Sequence, residues 1–186
     1  MKMLNQVKIT FAGRSVNESF ARAALAAFLV QLDPTVPQLA DIKTAVSEAV
    51  TNCIVHAYPD RLGPITMTAA IYEGGVVRIT ITDRGVGIPD IEKAMEPMFT
   101  TGDAEERAGL GFAVMQSFMD KVKVSSTPGR GTRVTLTKRL EARTGVPYIY
   151  KRRGQSCPQS CSRVKNLSRE IWAWCTPAPG ASRGGG

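Results

Sequence analysis

With 186 residues, 43% of them hydrophobic, the chain holds enough apolar material for one ordinary core and requires no second full domain. Its longest unbroken apolar run, residues 23–30, is too short to span a bilayer, and residues 1–6 lack the apolar core of a secretion signal, so a cytoplasmic location is expected. The formal charge of +8 is uneven: residues 1–140 carry 16 Lys+Arg against 14 Asp+Glu, and residues 141–186 carry 8 against 2, which argues against a nucleic-acid footprint across the domain.

Residues 6–12 alternate as a strand, with Val7, Ile9 and Phe11 on one face. Ser15, with Glu18 three residues on, reads as a capping box opening a helix to about Leu32, which Asp33-Pro34 stops. Arg22 within that Ala-rich helix reads as a solvated charge. Thr35 and Gln38 repeat the capping-box pattern and open a second helix running to about Ala57. Leu39, Ile42, Val46, Val50, Cys53 and Ala57 share one of its faces at helical spacing. Glu48, Asn52 and His56 recur at i, i+4 and i+8 on another side. A solvated polar face is the ordinary explanation of such a row, but Val55 falls near Glu48 and Asn52 on the helical wheel. His56 is the only histidine of the chain, and a lone histidine is more often structural than catalytic.

Residues 65–71 alternate as a strand, and Glu73-Gly74-Gly75 turns them into a second one, residues 76–82, so a β-hairpin is expected. Val77, Ile79, Ile81 and Asp83 share a parity, which points Asp83 to the side the apolar residues bury. A carboxylate there is costly unless donors reach it. Gly85 and Gly87 follow and allow a sharp turn and close approach of a ligand, an arrangement suited to a purine amino group. Taken alone, these residues read first as a strand end and a glycine turn in which Asp83 caps local amides.

A short helical stretch reaches about Met95, and residues 96–108 have the length and weak periodicity of a lid. Gly109-Leu110-Gly111-Phe112 starts a helix to about Asp120, and glycines there expose backbone N–H groups to an anion. Val122 and Val124 mark a strand that residues 128–131 turn into residues 132–137, a second hairpin. The domain is expected to cover residues 1–140. Residues 141–186, rich in Arg, Pro, Ser and Gly, read as a basic and largely disordered tail. Cys53 lies in the domain and Cys157, Cys161 and Cys175 in the tail; free thiols are expected, and no ligand set for zinc is complete.

The order of these elements says more than any one of them. A helix carrying Glu48 and Asn52, a strand end carrying Asp83-x-Gly85-x-Gly87, a lid and a glycine-rich helix start together supply a proton acceptor, a neutral oxygen for a hard cation, a purine acceptor and a phosphate cradle. The text of these segments resembles the GHKL (Bergerat-fold) ATPase and kinase superfamily. The matching residues are 17–22, 31–34, 47–52, 83–88, 99–101 and 109–112, and the resemblance covers about residues 5–140. The N-terminal helix and the compact length are similar to the branch of serine-protein kinases that act as sporulation anti-sigma F factors.

The resemblance implies a two-layer α/β sandwich: a mixed, mainly antiparallel sheet, helices packed on one face, and an ATP lid. It implies that Asp83 binds the adenine amino group beside Gly85 and Gly87, and that Asn52 holds a magnesium ion. Glu48 would be general base toward a serine hydroxyl. Thr100 and Thr101 would belong to the lid, and Gly109, Leu110 and Gly111 to the phosphate-binding helix start. Arg22 would contact protein partners. The implied ligands are ATP or ADP with Mg2+. The implied partners are sigma F, an anti-anti-sigma protein as phosphorylation substrate, and a second copy of the chain, with no membrane or nucleic-acid role. A sigma B-type stress-response kinase, or a module that binds ATP and sequesters sigma without catalysis, fits the same motifs. Gly102 stands where close relatives are expected to carry lysine, Cys53 and Ala57 differ from the small residues expected there, and the tail resembles nothing in the family.

Overall fold

The structure is a computed structural model that describes residues 1–96 and 110–141. Alternating sequence becomes a sheet of five strands: β1 (Met3–Ala12), β2 (Pro64–Tyr72), β3 (Val76–Asp83), β4 (Lys121–Thr127) and β5 (Gly131–Arg139). They lie in the order β1-β2-β3-β5-β4, and every pairing is antiparallel. The sheet is thus antiparallel throughout rather than mixed. The two expected hairpins form, with Ile71 opposite Val77 in one and Val124 opposite Val134 in the other. β1 starts three residues earlier than its alternation suggests, because Met3 pairs with Tyr72 across an irregularity in the register.

One face of the sheet carries Ile65, Met67, Ile71, Ile79, Ile81 and Leu136, all buried. Against it pack α1 (Val16–Leu29), α2 (Val36–Asn52) and α4 (Gly111–Phe118) through buried Leu25, Leu29, Ile42, Val46 and Met115. Each such side chain removed from water contributes about 1.5–3 kcal/mol, so this single seam accounts for the two-layer arrangement. A short helix α3 (Ile91–Ala94) follows the glycine turn after β3, with Asp90 accepting from the Lys93 amide at 3.0 Å. Lys138 ties the layers together: its ammonium donates to Asp41 of α2 at 2.9 Å and to the Phe118 carbonyl at the end of α4 at 2.6 Å. That cation satisfies a helix C-terminus as well as a carboxylate.

The two capping boxes part company. Thr35 adopts extended backbone and exchanges both hydrogen bonds with Gln38, and Val36-Pro37 opens α2. Ser15 is already helical, at φ −54° and ψ −37°, and its side chain caps nothing. The expected capping box at Ser15 is therefore absent. Glu18, its anticipated partner, turns to α2, where it accepts from the Ser47 hydroxyl and pairs with Arg22 at 3.3 Å. A charge-assisted bond between helices outweighs a local cap. α1 also tightens into a 3-10 turn at Val30–Leu32, and Asp33 takes the left-handed conformation that ends it.

α2 does not run on as a regular helix. At Cys53–Ala57 the chain widens into a π turn. This breaks the i, i+4, i+8 row: Glu48 and Asn52 stay together on α2, whereas His56 falls in the π turn and is exposed. Such single π turns recur at functional sites, and this one presents the Ala57 carbonyl to the Val86 amide at 2.9 Å.

Candidate functional site

Asp83 is the one buried charged residue among the described residues, at 4% exposure. The strand parity of β3 drives it inward, and its neighbours compensate the burial. Oδ1 accepts from the Gly85 amide at 2.9 Å and from the Thr132 amide of β5 at 3.1 Å. Oδ2 accepts from the Cys53 thiol at 3.6 Å. A carboxylate has roughly four acceptor positions. Three are used by described residues, and the fourth is left on Oδ2, in a cleft that Asp83 lines together with Asn52, Cys53, Gly87, Ile88 and Gly111. Burial, then the Asp83 charge, then the hydrogen bond itself push the Cys53 thiol pKa well above its usual value, so it is a donor and not a thiolate.

The glycines that follow Asp83 are held by contact. A Cβ on Gly85 would lie 1.9 Å from the Ala57 carbonyl oxygen, and one on Gly87 would lie 2.4 Å from that of Thr127, where φ is also +75°. Two backbone bonds fasten this turn: Val86 donates to Ala57 at 2.9 Å and accepts from Gly129 at 2.7 Å. Tyr58 closes its back, its hydroxyl accepting from the Arg84 amide and donating to the Pro64 carbonyl, both at 2.8 Å. Gly85→Ala is therefore expected to lower unfolding free energy by about 3 kcal/mol, since backbone must move to admit one methyl group. Urea unfolding followed by circular dichroism measures this; a change below about 1 kcal/mol would mean the turn yields easily.

The third segment arrives from α4. A Cβ placed on Gly111 would sit 3.3 Å from Asn52 Nδ2, 3.4 Å from Asn52 Oδ1 and 3.4 Å from Glu48 Oε2. The start of α4 thus lies directly over the two polar side chains of α2. Among the described residues neither the Glu48 nor the Asn52 side chain makes a hydrogen bond or an ion pair. Half-buried polar groups facing a helix start are of the kind that could hold an anionic ligand and its counter-cation. Arg22 stands at the rim of the same cleft, donating to Ser47 at 3.2 Å and pairing with Glu18. It is half-buried in an ion pair, not a freely solvated charge.

The chain matches the histidine kinase-like ATPase domain family over residues 12–138. It is 57% identical over 138 residues to the anti-sigma F factor of Thermoanaerobacter pseudethanolicus, covering 74% of this chain and 96% of that protein. It is 51% identical over 138 residues to the anti-sigma F factor of Geobacillus kaustophilus, covering 74% of this chain and 94% of that protein.

The chain belongs to the anti-sigma F factor family of GHKL ATPase domains.

The fold is also that of a solved structure of the RsbU and RsbW domains of a Mycobacterium tuberculosis protein, with TM-score 0.54 at 24% identity over 74% of this chain and 33% of that one. Among the described residues no helix is long and apolar enough to cross a membrane.

Within this anti-sigma F family chain, Glu48, Asn52, Asp83, Gly87 and Gly111 line one cleft, with Leu110 at the start of α4 and Arg22 at the rim, whereas Gly85 stays behind Asp83 and reaches the site only through its amide. Phe99, Thr100, Thr101, Gly102, Gly109 and the tail from residue 142 lie outside the described residues. Sequence reasoning missed three groups. Helical spacing puts Cys53 on the apolar face of α2, yet it bonds to Asp83. Ser47 joins Glu18 to Arg22, and Tyr58 backs the glycine turn. Only Cys53 offered a signal, as a polar-capable residue directly after Asn52.

Proposed function

We propose that this chain is an anti-sigma factor that sequesters a sporulation sigma factor, sigma F, and that as an ATP-dependent serine kinase it phosphorylates and so inactivates an anti-anti-sigma protein. The observation that carries this is the meeting of Gly111 with Glu48 and Asn52, opposite the one free acceptor position of Asp83. The names of the relatives support the sigma-binding half of the reading.

The residues fit a nucleotide. The free acceptor position on Asp83 Oδ2 takes one N–H, which is what the 6-amino group of adenine presents. Gly87 lines the cleft beside Asp83, and Gly85 supports the carboxylate through its amide. The start of α4 offers amides to phosphate oxygens, and a side chain at Gly111 would crowd both Asn52 and Glu48. Asn52 would hold Mg2+ through Oδ1, and the ion would neutralise phosphate charge. Glu48, one helical turn before Asn52, accepts the proton of the partner's serine hydroxyl as that oxygen becomes a nucleophile. Arg22, at the rim, meets the protein partner. The chain acts in the cytoplasm as a homodimer.

The test is incubation of the full chain with labelled ATP, Mg2+ and a candidate anti-anti-sigma protein, followed by mapping of the phosphorylated residue. Label on a serine of the partner is the expected result. Nucleotide binding with no transfer to any such partner would leave a sequestering module and remove the kinase.

A further inference from the structure

Between α1 and α2 a hydroxyl stands between two opposite charges. Glu18 and Arg22, one turn apart on α1, pair at 3.3 Å, and both reach Ser47 of α2. The Ser47 hydroxyl gives its proton to Glu18 and accepts from Arg22 Nη1 at 3.2 Å. Arg22 Nη2 reaches Ser19 at 3.5 Å, a long contact that adds little. All three of Glu18, Arg22 and Ser47 line the cleft, and the Arg22 side chain keeps 38% of its surface exposed against 18% for Glu18. The guanidinium carries more N–H donors than these contacts use, and the rest are available to a carboxylate or carbonyl brought by another molecule.

We infer that Ser47 is a positioning residue for the partner-binding arginine: its hydroxyl fixes the aim of the Arg22 guanidinium before a protein partner arrives. This rests on the reading of Arg22 as a partner contact. A pair at i, i+4 near the surface is a weak restraint by itself, because two long side chains give up rotamers to hold it. Ser47 adds a fixed point from a second helix. A hydroxyl suits that place because it donates to the carboxylate and accepts from the guanidinium at once, which neither a methyl group nor a carboxylate does. Without it Glu18 is released to turn back toward Ser15, the partner its sequence spacing suggests, and Arg22 loses both contacts that hold Nη1. Ordering these side chains then falls on the binding step and weakens it. Ser47 bonds to α1, whereas its neighbour Glu48 faces the start of α4, so the effect is confined to docking of the protein partner.

The experiment measures the affinity of purified sigma F, with ATP and Mg2+ present, for the full chain and for Ser47→Ala, Ser47→Thr, Arg22→Ala and the Ser47→Ala, Arg22→Ala double variant by calorimetric titration. ATP affinity and thermal unfolding are measured on each. Ser47→Ala is expected to weaken sigma F binding by about tenfold while leaving ATP affinity within about twofold. Ser47→Thr, which keeps the hydroxyl, is expected to recover most of the natural affinity. Arg22→Ala is expected to weaken binding more than Ser47→Ala does, and adding Ser47→Ala to it is expected to cost nothing further. Unchanged sigma F affinity in Ser47→Ala would overturn the role of Ser47 and leave the reading of Arg22 intact. So would a tenfold loss that recurs in the Arg22→Ala background, or one matched by an equal loss of ATP affinity. Natural affinity in Arg22→Ala, or a natural chain that binds no sigma F, would remove the reading of Arg22 and the role of Ser47 with it.

Discussion

Glu48→Gln is expected to slow phosphoryl transfer to a serine by about 100- to 10,000-fold while leaving ATP affinity within about twofold. The substitution keeps shape and volume, so the contact of the side chain with the start of α4, where its Oε2 lies 3.4 Å from the ideal Cβ position of Gly111, survives. What is lost is the ability to take a proton. The Glu48 side chain has no ion pair or hydrogen bond to another described residue, so its replacement strands no structural partner. A structural role would appear as lowered stability, and a role in holding the nucleotide as weakened binding. Single-turnover transfer measured beside equilibrium ATP binding separates the three. Transfer that persists within tenfold of the natural rate would show that another group takes the proton.

Asp83→Asn is expected to weaken ATP binding by about 100-fold. An amide brings two donors where the site supplies donors already. If its nitrogen takes the Oδ1 position, it opposes the Gly85 and Thr132 amides; if it takes the Oδ2 position, it opposes the Cys53 thiol and the ligand's own N–H. Either orientation leaves a buried donor unpaired, which costs about 1–3 kcal/mol, and the negative charge that strengthens the remaining bonds is gone. Part of that cost falls on the empty protein, so unfolding free energy should drop by about 1–2 kcal/mol as well. Titration with ATP and urea unfolding of the same sample distinguish the two effects. Unchanged affinity would mean that the base lies elsewhere in the cleft.

Both substitutions test side chains whose identity was legible before any coordinates. The parity of Val77, Ile79 and Ile81 placed Asp83 inside, and the structure buries it. Glu48 and Asn52 were paired by their spacing of one turn, and both line the cleft. Local readings, a glycine turn capped by Asp83 and a solvated face on α2, are the ordinary explanation of those residues taken singly. The Gly85 amide does in fact bond to Asp83, so the modest reading was correct as far as it went. It stopped short because the remaining partners of that carboxylate come from 30 and 49 residues away.

The amino-acid pattern by itself determined the two hairpins, the inward aim of Asp83, the Thr35 cap of α2 and the grouping of Glu48 with Asn52. Each follows from periodicity or turn chemistry acting within a few residues, where the chain is its own context. Tertiary structure alone decided that Glu18 would leave Ser15 for Ser47, that α2 would widen into a π turn at Cys53, and that Gly111 would close over Glu48 and Asn52. It also turned Cys53 from a core residue into a donor for Asp83. These outcomes required elements far apart in the chain to pack first. Only then does the cost of burying an unpaired polar group choose which partner each one takes.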